Sequence, residues 1–457
     1  MSTETVTAGG NGKGTRQAAQ AALAEMPGPA AVSCTDTSPM VTTADVNMTG
    51  RAMYLPQMPK GGSMLLAAAF RSIGFDAHVV PDSDSRTLEL GGRYISGEEC
   101  YPQRICMGDF MKLIEDEGMD PKGLAFMMPT ANGPCRFGQY ASLQRRVLDD
   151  LGLEDVAVLS MTSADGYASI GKNAGELLRT GWRAIVACDI LMKLLLKTRP
   201  YEVNAGETDR VYWDAIDIVS AVLERPQVSH KERLEDIKAA LRRAKEAFLA
   251  IPVKQEDRPL IGVVGEIFCR LNTFANQDLI RQIEAQGGEC WLAGIGEWVW
   301  YTNDEQFRRF REEKRRFRKQ WLKAVITTKV QHREEEALYE DFRDVLHGYK
   351  EPHVTEILDR SLPYLPQSGS MGEMVLSTGG TIFFHDIGAD GVADISPFTC
   401  MNGIITEAVY PKVSREHDNI PIRIFYFDGT QSDLERDVGI FLELAGTYKR
   451  RKNIQRS

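Results

Sequence analysis

The amino-acid sequence predicts an α/β protein with two open, Rossmann-like lobes, a helical insert and a disordered N-terminal tail. Residues 50–171 and 258–457 alternate short apolar runs with amphipathic helical periods, which is the rhythm of βαβ units. Residues 172–257 carry almost only the i, i+3, i+4 apolar spacing of helices. Residues 1–49 are rich in Ala, Gly, Thr and Ser and show no sustained period. These four segments are the predicted domain organisation.

Each lobe is predicted to alternate strands and helices, and Gly74 marks the end of the first helix. Order is predicted to begin near residue 52, and the elements predicted after it in the first lobe are helix 63–73, strand 77–80, helix 106–114, strand 124–128, helix 143–151 and strand 156–159. The insert and second lobe are predicted to contain helices 191–197, 213–223 and 231–249, strand 260–264, helix 277–285, strand 289–293, helices between 304 and 362, helix 404–415 and strand 422–427. Open parallel sheets of this kind bind ligands beyond the carboxyl ends of their strands.

The composition argues against several classes of protein. Acidic residues outnumber basic ones by 64 to 54, which disfavours a nucleic-acid binder. The longest apolar runs are short and contain charges, so no membrane span is predicted. Eight cysteines in 457 residues are too few for a disulfide scaffold, and no secretory signal is visible, so we expect a cytoplasmic protein. The sequence contains no HExxH motif, no phosphate-binding loop and no dinucleotide fingerprint.

A basic segment at residues 308–323 holds nine Lys and Arg residues, with aromatic residues Phe310, Phe317 and Trp321 at helical spacing. One interpretation is a solvated helix whose aromatic side chains pack inward. The other is a docking surface for an acidic partner protein or a nucleotide-bearing substrate.

Three cysteines lie where Pro or Gly interrupts regular structure: Cys100, Cys135 and Cys400. Cys135 and Cys400 directly precede predicted helices, whose free N–H groups and dipole should lower a thiol pKa and favour an anionic cluster. With 34 residues between the first two and 264 between the last two, a common site must be assembled by the fold. Together the three cysteines predict an iron–sulfur site.

The other cysteines are expected to differ in role. Cys188 and Cys290 lie in apolar runs, Cys106 lies on a predicted helix and Cys34 lies in the tail, so packing is their simplest role. Cys269 follows the first strand of the second lobe and could also reach the cleft.

Several polar residues follow the predicted strand 260–264 or lie in the glycine-rich segment 379–391, which is interpreted as a loop. They are substrate contacts or proton relays on one interpretation and helix caps or turn residues on the other. The residues are Glu266, Arg270, Asn272, Asn276, His385, Asp386 and Asp390.

Four motifs resemble the 2-hydroxyacyl-CoA dehydratase superfamily, in the branch related to the C-terminal region of large acyl-CoA dehydratase activases. The resemblance covers roughly residues 54–444, and the cysteine loops are its most specific part. The motifs are Ser96-Gly-Glu-Glu-Cys-Tyr-Pro, Gly133-Pro-Cys-Arg-Phe-Gly-Gln-Tyr, Gly265-Glu-Ile-Phe-Cys-Arg-Leu-Asn and Gly388-Ala-Asp-Gly-Val-Ala-Asp-Ile-Ser-Pro-Phe-Thr-Cys-Met-Asn-Gly.

The resemblance implies a [4Fe–4S] cluster, or a double-cubane cluster, held between two lobes by Cys100, Cys135 and Cys400. An ATP-hydrolysing activase would act in trans, since this chain has no activase ATPase motif, and would supply a low-potential electron. The reaction implied is dehydration or reduction of an acyl-CoA or similar small molecule, with Glu266 and His385 as catalytic candidates. Cys269 leaves the type of cluster open.

Two alternatives remain at the level of sequence. The protein could be a non-catalytic electron-transfer or scaffold subunit of such a complex, or an iron-free α/β enzyme with packed cysteines. The sequence also leaves open whether the protein forms a homo- or hetero-oligomer.

Overall fold

The structure is a computed structural model that describes residues 48–95, 97, 99–131, 133–161, 168–314, 318–346, 352–367, 372–430 and 433–456. The predicted tail, apart from its last two residues, lies outside these ranges. The described residues confirm an α/β protein with two four-stranded parallel sheets. None of the described helices combines the length and the apolar character needed to cross a lipid bilayer.

The first sheet and the helices around it occupy the N-terminal part of the described chain. Its strands are β1 (Ala52–Leu55), β2 (Asp76–Val79), β3 (Leu124–Met127) and β4 (Ala157–Leu159). Its helices are α1 (Lys60–Arg71), α2 (Ser85–Tyr94), α3 (Tyr101–Glu115) and α4 (Tyr140–Asp150), and a 3₁₀ turn at Arg136–Gln139 leads into α4.

Three long helices follow and correspond to the predicted insert: α5 (Ala174–Thr198), α6 (Glu207–Leu223) and α7 (His230–Leu249). Helix α5 is buried along most of its length because it packs against α1 of the first lobe and also contacts the second lobe. The Asp189 carboxylate accepts the backbone N–H groups of Ile295 and Gly296 at 2.9 and 2.8 Å. The insert therefore holds both lobes in place.

The second sheet lies in the C-terminal part of the chain. Its strands are β5 (Leu260–Gly265), β6 (Glu289–Leu292), β7 (Gly391–Pro397) and β8 (Ile422–Phe427). Its helices are α8 (Ile267–Leu271), α9 (Leu279–Ala285), α10 (Gly296–Glu312), α11 (Lys319–Tyr339), α12 (Val354–Ser361), α13 (Met374–Asp386), α14 (Met401–Glu416) and α15 (Leu434–Arg456).

The two sheets have the same strand order. The first runs β2-β1-β3-β4 and the second runs β6-β5-β7-β8, so each sheet reverses its winding direction next to its first strand. All residues of β3 and β7 are buried, as expected for parallel strands covered on both faces. Ligands bind such sheets in the crevice beyond the carboxyl ends at the point of reversal, here between β1 and β3 and between β5 and β7.

The carboxyl ends of the two sheets face each other. The side chain of Asn272, just after α8, donates to the backbone carbonyl of Gln57, just after β1, at 2.7 Å. Gly429, just after β8, lies against the ring of Tyr101 at the start of α3. All described residues belong to one compact unit. The two switch points therefore open towards the same region between the lobes.

Two predictions about local structure need correction. Residues 374–386 form helix α13, although the glycine-rich segment 379–391 had suggested a loop. A Cβ on Gly379 would lie 2.0 Å from the Ile357 carbonyl oxygen, so this glycine permits close helix packing and does not form a turn. The basic segment 308–323 is not one helix, because α10 ends at Glu312 and α11 begins at Lys319. Phe310 is buried, and Phe317 lies outside the described residues.

Candidate functional site

Cys100, Cys135 and Cys400 each occupy the position immediately before a helix. Cys100 precedes α3, Cys135 precedes the 3₁₀ turn that leads into α4, and Cys400 precedes α14. Backbone N–H groups in the first turns act electrostatically on all three thiols and favour ionisation, although no side-chain cap hydrogen bond forms. The predicted position at helix N-termini is therefore confirmed for Cys135 and Cys400 and extends to Cys100.

The fold brings these cysteines together from distant parts of the chain. Burial is the largest cause of the raised pKa of each thiol, and the thiols also act on one another. The charge of Cys100 acts on Cys135, and that of Cys135 acts on Cys400. Both Cys100 and Cys400 act on Cys269, which is fully buried in α8. Electrostatic interactions thus connect the four thiols in a series of pairs that spans both lobes.

The thiol pKa values move in the direction opposite to that expected from helix N-termini alone. Cys135 is exposed as a residue, but partial desolvation of its thiol, together with the charges of Glu373 and Glu266, raises the thiol pKa to about 12. Burial also raises the pKa of Cys100 and Cys400. The neighbouring N–H groups lower each value, but desolvation is the larger effect. Without a bound cation, these thiols remain protonated at neutral pH.

Two carboxyl groups flank the first turn of α8 beside the thiols. Glu266 caps the helix, because its oxygens accept the N–H groups of Phe268 and Cys269 at 3.0 and 2.8 Å. Glu373, just before α13, accepts the N–H of Ile267 at 2.9 Å. Sequence reasoning missed Glu373, because only the fold places it beside Ile267.

Both carboxyl groups are harder to ionise than they would be in water. Burial and the charge of Glu266 together raise the pKa of Glu373 to about 8. Burial also raises the pKa of Glu266, but the two backbone N–H groups it accepts and the charge of Arg270 oppose that rise. Glu373 therefore keeps its proton at neutral pH.

Tyr140, the first residue of α4, also reaches the thiols. Its hydroxyl group forms a short contact with the Cys100 sulfur, which joins the helix after Cys135 to the thiol before α3. Sequence reasoning did not single out Tyr140, although it ends the Gly133-Pro-Cys-Arg-Phe-Gly-Gln-Tyr motif.

The cysteines do not form a site for a single metal ion. Within the part of the chain that the structure describes, the only three-residue group of His, Cys, Asp or Glu compact enough for one ion is His385, Asp386 and His417. Among the described residues, the thiols of Cys100, Cys135, Cys269 and Cys400 therefore form no group of three close enough to bind one ion.

His385 lies apart from the thiols. It is twelve residues after Glu373 on α13, which corresponds to about 18 Å along the helix axis. Because α13 leads back to the start of β7, His385 lies towards the amino end of that strand, whereas Cys400 follows its carboxyl end. The structure thus separates the two residues that the sequence had named as catalytic candidates, Glu266 and His385.

The remaining polar candidates have structural partners. Asn276 donates to the Cys269 carbonyl at 2.8 Å, and Arg270 pairs with Glu297 at 3.5 Å. Asp390 pairs with Lys452 at 2.6 Å. These contacts, and that of Asn272 with Gln57, favour the capping and packing interpretation for these residues.

The other cysteines lie where packing predicts them. Cys106, Cys188 and Cys290 are buried, and Cys34 lies outside the described residues.

Neither a protein-family model nor a curated protein matches the chain. The site geometry and the sequence motifs therefore carry the functional argument.

Proposed function

We propose that the protein holds an iron–sulfur cluster, [4Fe–4S] or double-cubane, through Cys100, Cys135 and Cys400. An ATP-dependent activase acting in trans would supply the electrons, and an acyl-CoA or similar small molecule would be dehydrated or reduced, as in the 2-hydroxyacyl-CoA dehydratase superfamily that the motifs resemble. The observation that carries this proposal is the convergence of three cysteines, each at a helix N-terminus, at the carboxyl ends of both sheets.

Cluster binding would require the thiols to lose their protons, because desolvation raises the pKa of Cys100, Cys135 and Cys400 and the charge of Glu266 adds to the rise at each. N–H groups at the helix starts are suited to donate to ligated sulfur, and such donors tune the reduction potential of a cluster. The free thiols also need a reducing compartment, which agrees with the expected cytoplasmic location.

Glu266, Cys269 and Glu373 have separate roles in this proposal. Glu266 fixes the first turn of α8 and so positions Cys269, which is a candidate further ligand. Glu373 holds a proton at neutral pH and would offer it to a departing hydroxyl group. A bound cluster would supply the low-potential electron. His385 has no part in this proposal, because it lies at the other end of α13.

The ligand set can be tested by iron and sulfide analysis after anaerobic purification or reconstitution of the full chain. Each of the single substitutions Cys100→Ser, Cys135→Ser and Cys400→Ser should reduce the cluster content of the protein. Cys188→Ser is the matched control, because Cys188 is buried in α5 away from the site. Equal iron in all four variants, or an iron-free wild-type protein, would contradict the proposal and favour an iron-free α/β enzyme.

Activity needs a separate test, because a cluster alone does not establish catalysis. Cluster-loaded protein would be mixed with a purified activase, ATP and a candidate thioester, and electron uptake would be followed by EPR. Product formation supports a dehydratase or reductase. Reduction of the cluster without product supports the alternative of an electron-transfer or scaffold subunit.

A further inference from the structure

A second cluster of metal-binding side chains lies at the C-terminal ends of two helices. His385 and Asp386 end α13, and His417 follows the last residue of α14. The rings of His385 and His417 have centroids 5.1 Å apart. One donor atom from each of the three residues lies within 4.8 Å of the other two. The partial negative charge at both helix C-termini favours a cation at this position.

Each histidine already has one ring nitrogen occupied by an oxygen partner. Nε2 of His385 lies 3.0 Å from Oδ2 of Asp418, and Nε2 of His417 lies 3.1 Å from the Tyr364 hydroxyl. In metal sites, the ring nitrogen that does not bind the ion usually donates to a carboxylate or another oxygen, which fixes the tautomer and orients the ring. The ring nitrogens outside these two contacts are Nδ1 of His417 and Nδ1 of His385, and the latter lies 3.3 Å from Oδ1 of Asp386.

Asp386 is held in the same way. Its Oδ2 accepts a hydrogen bond from Nε of Arg360 at 2.9 Å, while its Oδ1 lies 3.3 Å from Nδ1 of His385. A carboxylate that ligates through one oxygen commonly has its other oxygen hydrogen-bonded. All three potential ligands thus have an outer partner and an inward donor atom, which a set of unrelated surface ion pairs does not require.

We propose that His385, Asp386 and His417 bind one divalent transition-metal ion, with Zn²⁺ as the representative ion. Two imidazoles and one carboxylate are a common protein ligand set for zinc, and water completes the coordination. The ion would join the ends of α13 and α14. The proposed ion site is separate from the thiol site, because α13 places His385 and Asp386 about 18 Å from Glu373.

His385 and Asp386 keep solvent contact, which gives the ion a route of entry.

The test is a titration of the full chain with Zn²⁺ by calorimetry, with His385→Gln and His417→Gln as ligand variants. Each should bind zinc roughly 100-fold or more weakly at this site, and Asp418→Asn should bind about tenfold more weakly because it removes only an outer partner. Asp418 is 80% exposed, so its substitution leaves the fold intact even if a histidine variant does not fold. A His332→Gln, His353→Gln double variant is the control, since those rings lie 6.5 Å apart and belong to no compact group of three donors among the described residues.

Substitution of Co²⁺ for Zn²⁺ separates this site from the thiol site in the wild-type protein. Nitrogen and oxygen ligands give no thiolate-to-cobalt charge-transfer absorption, so its absence from the first equivalent bound supports the proposal. The proposal is overturned if the wild type shows no saturable zinc binding or if the histidine variants bind zinc as tightly as the wild type. It is also overturned if the first equivalent of cobalt shows thiolate bands.

Discussion

Replacing Glu373 by glutamine removes the charge of a buried carboxyl group while keeping an oxygen that can accept the Ile267 N–H. In the metal-free chain, burial and the charge of Glu266 raise the pKa of Glu373 to about 8 from a reference value of 4.5. The folded protein therefore keeps a proton that the unfolded chain releases above pH 4.5. Wild-type stability should fall as the pH rises from 4.5 towards 8 and should not fall further, through this group, above that pH.

The expected size follows from the two pKa values. Between pH 5 and pH 8.5 the carboxyl group should cost the wild type about 4 kcal/mol of unfolding free energy, at about 1.4 kcal/mol per pKa unit. The Glu373→Gln variant has no such dependence. Burying the extra amide N–H groups carries its own cost of about 1–3 kcal/mol, but that cost does not vary with pH and cancels when the two pH values are compared.

The measurement is urea denaturation of wild type and variant at pH 5 and pH 8.5, with the thiols kept reduced and metal removed. The variant should gain about 4 kcal/mol relative to the wild type on going from the lower to the higher pH. Glu443→Gln, on the exposed face of α15, should show no such gain. Parallel pH dependences for wild type and Glu373→Gln would refute the idea that this carboxyl group is buried beside a second one.

Two further substitutions test how the lobes and sheets are held. Asn272→Ala leaves the buried Gln57 carbonyl and the Ala275 N–H without a partner, so it should lower the unfolding free energy by about 2–4 kcal/mol. The surface variant Asn204→Ala is the control and should lower it by less than about 0.5 kcal/mol in the same denaturation experiment. Gly265→Ala would place a Cβ 2.1 Å from a carbonyl oxygen of β7 and should lower the unfolding free energy by about 3 kcal/mol or more. Gly388→Ala is the control, because Gly388 also has a positive φ but lies in open space, and it should cost only about 1–2 kcal/mol. Equal losses of stability in the two variants would contradict the close approach of β5 and β7.

The fold class and the positions of the thiols could be predicted because their signals are local. Apolar patterns marked three strands of each sheet but missed the central strand β7 and gave β1 only as the start of order. Pro or Gly beside Cys100, Cys135 and Cys400 marked the breaks before their helices. Parallel sheets then bring such loops to one edge, so convergence of the three cysteines could be anticipated without knowing any distance.

The features that were missed depend on contacts across the chain. Glu373 acquires its role from the Ile267 N–H, which is 106 positions earlier in sequence. His417 pairs with His385 only because two helices end side by side. Glycine usually interrupts regular structure, so a glycine-rich segment suggests a loop. At Gly379, however, the missing Cβ lets α13 contact Ile357. A one-dimensional pattern does not separate a glycine that allows a turn from one that allows close packing.

The placement of Cys135 and Cys400 in different lobes has a consequence for biosynthesis. A ribosome adds roughly 5–20 residues per second, so the second thiol emerges about 13–50 s after the first. Any group held jointly by the two can therefore be inserted only near the end of translation or after it. A nascent chain released before Cys400 would carry Cys100 and Cys135 alone and could not hold such a group through all three cysteines.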